Sequence, residues 1–194
     1  MIYKKLYNGE IHTWFPKTIF LLDNFHKNNL KLYKKILYDF KDKTHRTEFQ
    51  NIQTSHSKQS LHQNDKFKFL FKDILNYSLL FLNEIGYTKD VTSNFKITNS
   101  WFNIGKKGDF LHKHIHPGSI LSGAFYINCI KKDKISFHKV EDVLLLPKTF
   151  NDLSFEYVQY QCIPGRLLLF PSNIPHSTNS QIGKEKITIS FNIG

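Results

Sequence analysis

Arginine is almost missing from this chain of 194 residues. Of its 27 lysines and arginines only Arg46 and Arg166 are arginine, although the formal net charge is +11. Readers of nucleic acid usually spend arginine on base edges and phosphates, and here the lysines are scattered among Ile, Asn and Phe. The charge therefore reads as compositional bias, and no nucleic-acid partner is expected. Cysteine is equally scarce, with Cys129 and Cys162 each inside an apolar run, which predicts two buried free thiols and a reducing compartment. Long hydrophobic runs are lacking too. The most apolar stretch, Phe67 to Leu82, is broken by Lys68, Lys72 and Asp73, and the opening MIYKKLYNGE has no apolar core of a signal peptide. These features predict a cytoplasmic protein with no membrane partner. There is no internal repeat, and the length predicts a single domain over 1–194.

What is present is aromatic: 15% of the residues, 18 of them Phe, enough to build a large core. Trp14 to Leu22 reads as a short strand. After it, Asp23 or Asn24 is placed to cap a helix whose apolar stripe is Leu30, Tyr33, Ile36, Leu37 and Phe40. Lys43 to Asn64 is polar and aperiodic, a long surface loop near the site. A second helix is predicted over about Asp65–Ile85, with Gly86 at its C′ position. From there the period changes to that of strands, near Phe95–Ile104, Ser119–Cys129, Ile135–Phe137, Val140–Leu146, Leu153–Gln161, Arg166–Phe170 and Ile187–Ile193. Helices over 1–94 followed by short strands over 95–194 predict a mostly β, α+β protein, with helices packed on one sheet of an antiparallel jelly roll.

The chemistry concentrates in two stretches, WFNIGKKGDFLHKHIHPGSILSGAFYI from Trp101 and PGRLLLFPSNIPHSTNSQIGKEKITISFN from Pro164. His114 and His116 flank one residue, so on extended chain both imidazoles face one side, about 7 Å apart. His176, after the apolar run Leu167–Phe170, is the best third ligand. His112 competes for that role but is ranked behind the others or at the surface. Three imidazoles on one side of an ion leave its other side open, as an oxygen-activating iron site needs. Lys186 lies in the apolar strand KITISFN, where a cation is costly unless it meets an anion. Thr188 shares its face, so the pair reads as a carboxylate clamp.

The run HIHPGSILSGAFYI, followed by PGRLLLFPS and His176, then KITISFN, closely resembles the 2-oxoglutarate/Fe(II) oxygenase family of marine bacteria and their phages, which is related to prolyl hydroxylases. The resemblance spans about Trp101–Ile193, with a weaker match at WFPKTIF. It implies a double-stranded β-helix (cupin-like jelly roll) and an Fe(II)- and 2-oxoglutarate-dependent dioxygenase that hydroxylates a small molecule or a protein side chain, releasing succinate and CO₂. It also implies that His114, His116 and His176 hold Fe(II), that Lys186 and Thr188 take the distal carboxylate of 2-oxoglutarate, and that Tyr126, Ser122 and Asn103 make further cosubstrate contacts. No other catalytic residue is then needed. Two positions depart from the wider superfamily: His116 stands where an Asp or Glu is usual, and Lys186 where many relatives have Arg. Lys43–Asn64 and Lys131–Phe155 are the expected substrate walls. The rival readings are a His₃ zinc or iron enzyme of cupin type that does not use 2-oxoglutarate, and a non-catalytic β-sandwich binding module.

Overall fold

The structure, a computed structural model, describes residues 2–6, 9–12, 17–46, 52–58, 60–140 and 154–194. Within them the strands are β1 (Ile2–Leu6), β2 (Gly9–His12), β3 (Phe20–Leu22), β4 (His45–Arg46), β5 (Gln53–Thr54), β6 (Ile97–Lys106), β7 (Leu121–Asn128), β8 (Lys134–His138), β9 (Tyr157–Gln161), β10 (Leu167–Pro171), β11 (His176–Thr178) and β12 (Glu185–Ile193). The α-helices are α1 (Leu30–Tyr38), α2 (Lys68–Glu84) and the single turn α3 (Lys89–Thr92). A seven-stranded sheet runs β3-β10-β7-β12-β6-β5-β4, a three-stranded sheet runs β11-β8-β9, and β1 pairs with β2. Every pairing is antiparallel. The fold is the double-stranded β-helix, with helices against the larger sheet.

Strand alternation decides what each face of the larger sheet does. Phe102, Ile104, Phe125, Ile127, Leu167, Leu169, Ile187, Ile189 and Phe191 point to the helices, where they bury against Tyr33, Leu37, Phe67, Leu70 and Ile74. Their neighbours Ala124, Tyr126, Leu168 and Phe170 point the other way, onto Ile135 and Phe137 of the smaller sheet. The helix face is thus almost wholly apolar. The inner face mixes apolar residues with Asn103, Lys186, Thr188 and Ser190, and polar side chains there are tolerable only if they meet partners or a ligand. Gly123 has a packing reason: a Cβ there would lie 2.2 Å from the Phe191 ring.

The second helix begins as a 3-10 turn at Asp65–Phe67 and becomes α-helical from Lys68. Its buried stripe is Leu70, Phe71, Ile74, Ser78, Phe81 and Leu82, and Gly86 takes φ +100° at the C′ position. Ser78 is buried without penalty because its hydroxyl donates to the Ile74 carbonyl at 2.8 Å. The first helix starts later than its sequence suggests. Neither Asp23 nor Asn24 caps it. A 3-10 turn, Lys27–Asn29, intervenes, and the Asp23 carboxylate instead accepts two hydrogen bonds from Arg166, at 2.7 and 2.8 Å. A bidentate guanidinium outcompetes a helix N-terminus for that carboxylate.

The predicted loop Lys43–Asn64 is also corrected in its described part. It adds β4 and β5 to the edge of the larger sheet and buries Ile52, Thr54, Ser55 and Leu61. Ser55 explains why a polar segment can do this: its N–H donates to the Phe102 carbonyl at 2.9 Å, while its hydroxyl accepts from the Phe102 N–H at 3.0 Å. The strands expected near Phe95–Ile104, Ser119–Cys129, Ile135–Phe137, Arg166–Phe170 and Ile187–Ile193 form with shifts of a few residues at their ends. Of the strand expected at Val140–Leu146, residues 141–146 lie outside the described residues, as do 14–16 of the expected first strand and 153 of Leu153–Gln161. The short β11, which carries His176, was not foreseen as a strand.

Candidate metal and cosubstrate site

His114 and His116 do not sit on a regular strand. The segment is extended chain held by backbone pairing: His114 exchanges hydrogen bonds with His176 (N–H to O 3.0 and 2.9 Å), and the His116 N–H donates to the Ser172 carbonyl at 3.0 Å. Pairing 114 with 176 brings the sequence-distant third imidazole onto the first two. One ring nitrogen from each of His114, His116 and His176 lies within 4.8 Å of the others. The ring centroids are 4.3 to 5.2 Å apart. His112 stays outside this cluster. Its side chain is exposed, and its carbonyl accepts the His114 Nδ1–H at 2.7 Å.

The environment keeps these imidazoles neutral. Burial pulls His116 down to about 4 and His176 down to about 3, with mutual repulsion among the ring cations adding to the effect, and burial lowers His114 as well. The His176 Nδ1–H donates to the Ile174 carbonyl at 3.0 Å. In His114 and His176 the far nitrogen is therefore left with its lone pair free, the state a metal requires.

The same cavity extends along β12. Its lining includes the three histidines, Asn103, Tyr126, Lys186, Thr188 and Ser190, with Ile52, Trp101, Leu111, Ile135 and Phe170 as apolar walls. Lys186 is 4% exposed, and among the described residues its Nζ has no hydrogen-bond partner, nor has the Asn103 Oδ1. Thr188 pairs across the sheet with Asn103 on one side and Tyr126 on the other, so these groups converge by register. The Asn103 amide donates weakly to Ser190 Oγ at 3.3 Å. Burial raises the Tyr126 phenol well above its ordinary range, so it stays protonated beside Cys162. Cys129 and Cys162 are both free and buried.

Ser122 stands apart from the other predicted residues. It is fully buried behind His116 and does not line the cavity: its Oγ lies 2.8 Å from His116 Nδ1, 2.7 Å from Ser172 Oγ and 2.9 Å from Asn192 Oδ1. Sequence reasoning missed Asn192 and Ser172 in this group, and Trp101 and Ser190 in the cavity wall. The signal for Ser190 and Asn192 was available, since they continue the Lys186–Thr188 alternation along KITISFN.

Residues 99–192 match the family described as "Putative 2OG-Fe(II) oxygenase". This part of the chain belongs to the 2OG-Fe(II) oxygenase family. The family's cofactor is Fe(II) and its cosubstrate 2-oxoglutarate. A comparison with curated protein sequences finds no match. Among solved structures, the chain is similar to a Pseudomonas putida prolyl-4-hydroxylase, at TM-score 0.64 and 12% identity over 91% of this chain and 92% of that one. It is similar also to HygX from Streptomyces hygroscopicus with nickel, 2-oxoglutarate and hygromycin B bound, at TM-score 0.64 and 12% identity over 92% and 83%. A third is the viral collagen prolyl hydroxylase of Paramecium bursaria Chlorella virus-1 in its 2-oxoglutarate complex, at TM-score 0.56 and 12% identity over 90% and 94%. At these identities the likeness is one of fold.

The chain's own side chains fit the two groups that the matched family uses. Three neutral imidazoles converge in the cavity lining, suiting a divalent ion of borderline softness. In the same lining the Lys186 ammonium, unpartnered among the described residues, suits a carboxylate. No helix among the described residues is long and apolar enough to cross a membrane.

Proposed function

We propose that this oxygenase uses Fe(II) and 2-oxoglutarate to hydroxylate a C–H bond of a small molecule or of a protein side chain, releasing succinate and CO₂. The observation that carries the proposal is the Lys186 ammonium, buried and unpartnered in the cavity that the three imidazoles also line. A His₃ zinc hydrolase or isomerase gives such a cation nothing to do, and an uncompensated buried charge costs roughly several kcal/mol. A dicarboxylate that reaches from the imidazoles to Lys186 supplies the missing anion. That difference favours a 2-oxoglutarate enzyme over the zinc reading and over a non-catalytic module.

When bound, iron and 2-oxoglutarate supply the O₂-dependent oxidation itself. The chain contributes binding, orientation and exclusion of water. His114, His116 and His176 would hold the metal through one nitrogen each, and their suppressed basicity means that no proton need be displaced near pH 7. Lys186 would pair with the distal carboxylate, and the Thr188 hydroxyl would donate a hydrogen bond to it. Asn103 and the protonated Tyr126 flank that position in the cavity lining. The apolar walls Ile52, Leu111, Ile135 and Phe170 keep water away from the reacting end. No protein nucleophile and no acid–base pair is required.

The test is an anaerobic titration of metal-free protein with Fe(II) and then 2-oxoglutarate, following the weak visible charge-transfer band of the chelate. The band is expected in the wild type and is expected to vanish in Lys186→Ala. Iron binding without any band would transfer the site to another His₃ metal chemistry.

A further inference from the structure

As a ligand His116 poses a problem that a carboxylate would not. An imidazole has two nitrogens, and only the one without a proton can bind a metal. His114 and His176 have theirs selected by backbone carbonyls, of His112 and Ile174. His116 has no such carbonyl. Its Nδ1 lies 2.6 Å from Asn192 Oδ1 and 2.8 Å from Ser122 Oγ.

We infer that Asn192 is the positioning residue that makes His116 a metal ligand, by fixing its tautomer and ring orientation; this rests on the metal-site reading proposed above. The directions of the hydrogen bonds close consistently. An amide oxygen only accepts, so the His116 Nδ1 must carry the proton and donate it to Asn192 Oδ1. The Ser122 hydroxyl also donates to that oxygen, at 2.9 Å. Having used its one proton there, Ser122 accepts from Ser172 at 2.7 Å. Ser122 and Ser172 are both buried, so each hydroxyl is held inside this chain of bonds. Nε2 is then the unprotonated nitrogen, the one left to join His114 and His176 in holding an ion.

The strand geometry explains how Asn192 comes to be there. Lys186, Thr188, Ser190 and Asn192 occupy alternate positions on β12 and share its inner face, and register sets Asn192 opposite Ser122 on β7. Lys186 and Asn192 are six residues apart, about 20 Å along an extended strand. One strand thus bears the anion-binding cation at one end and the support of the second imidazole at the other.

The experiment compares wild type, Asn192→Leu and Asn192→Asp, using Co(II) as the probe ion. Two readouts are taken: Co(II) affinity with its visible spectrum, and the His116 tautomer in the metal-free protein at pH 7 by nitrogen-15 NMR. Wild type is expected to show the Nδ1–H form. Asn192→Leu should lose that preference and bind Co(II) about 10- to 100-fold more weakly, the usual cost of removing a group that orients a ligand. Asn192→Asp keeps the acceptor and should restore both tautomer and affinity, a rescue that a merely space-filling role would not give. If Asn192→Leu fails to fold, the wild-type tautomer and Asn192→Asp decide the matter. A wild-type His116 in the Nε2–H form, or Asn192→Leu with unchanged Co(II) affinity, or Asn192→Asp no better than Asn192→Leu, overturns the inference. Wild type that binds no Co(II) at all overturns instead the metal-site reading beneath it.

Discussion

Replacing Lys186 by methionine should make the empty protein more stable and the loaded protein worse at its task. In the wild type the Lys186 ammonium is 4% exposed and has no hydrogen-bond partner among the described residues. Burying one such ion costs roughly several kcal/mol even after the surroundings relax. Methionine has similar length, carries no charge and packs adaptably, so Lys186→Met should recover part of that cost, about 2–4 kcal/mol. For a chain of this size such a gain raises the unfolding midpoint by roughly 5–10 °C. Binding should move the other way. Removing one partner of a buried charge pair costs about 2–5 kcal/mol, equivalent to weakening 2-oxoglutarate roughly 30- to several-thousand-fold at about 1.4 kcal/mol per decade. Thermal melts of metal-free protein, and of protein with Mn(II) and increasing 2-oxoglutarate, read both effects. Wild type should be stabilised by about 2.7 kcal/mol at a hundredfold excess over its Kd, and Lys186→Met should show almost none of this. A variant less stable than wild type when empty, yet stabilised equally by 2-oxoglutarate, would refute the reasoning, because Lys186 would then be meeting a protein group.

Three further outcomes are expected. His114→Ala and His176→Ala should each remove most Fe(II) affinity by equilibrium dialysis, whereas His116→Asp should still bind iron; unimpaired binding in either alanine variant would exclude that residue as a ligand. The metal-free protein should lose stability on acidification. His116 and His176 are held down to about 4 and about 3, so below the ordinary histidine value near 6.5 the unfolded chain takes up protons that the folded chain refuses. Their contribution is intact above pH 6.5 and falls by up to about 1.4 kcal/mol per imidazole per pH unit toward pH 4. Urea melts between pH 7.5 and 4.5 would show it, and a flat profile from 6.5 to 5 would contradict the burial of these rings. Arg166→Ala should cost about 1–3 kcal/mol in urea unfolding, since its guanidinium joins Asp23 bidentately and also donates to the Gln161 carbonyl at 2.9 Å. An effect under 0.5 kcal/mol would place that pair among ordinary surface contacts.

The parts of this fold that the sequence discloses are those where one rule acts alone. Period-2 alternation in KITISFN puts Ile187, Ile189 and Phe191 against the helices and leaves Lys186 and Thr188 on the inner face. A polar residue in such a strand is visible because its burial has to be compensated. Asn103 and Tyr126, expected near the cosubstrate from the family resemblance, also line the cavity. Failures occurred where two partners competed for one group. Asp23 is a good helix cap by type, yet it lies within reach of an arginine 143 positions away. Ser55 looks like loop, but it satisfies the backbone of Phe102 and so lets polar chain join a sheet. Neither competitor has a local signature.

Ser122 shows the same limit inside the site and says something about how the site is built. Alternation correctly puts it on the inner face of β7, from which a cosubstrate contact follows if the face lines the cavity throughout its length. The loop that carries His116 folds across that end of the face through the bond from its N–H to Ser172, so Ser122 meets an imidazole before it can meet a ligand. A carboxylate at 116 would need a donor where Asn192 now presents Oδ1, so the amide would have to turn over to offer its Nδ2–H, and the Ser122 hydroxyl would lose the acceptor it now has. The histidine and the asparagine therefore belong to one choice: His116→Asp alone forces that rearrangement, and His116→Asp combined with Asn192→Ser, whose single hydroxyl can donate to the carboxylate and still accept from Ser122, should bind Fe(II) more tightly than His116→Asp by itself. Equal iron affinity in the single and double variants, measured by the same dialysis, would show that the two positions are energetically independent.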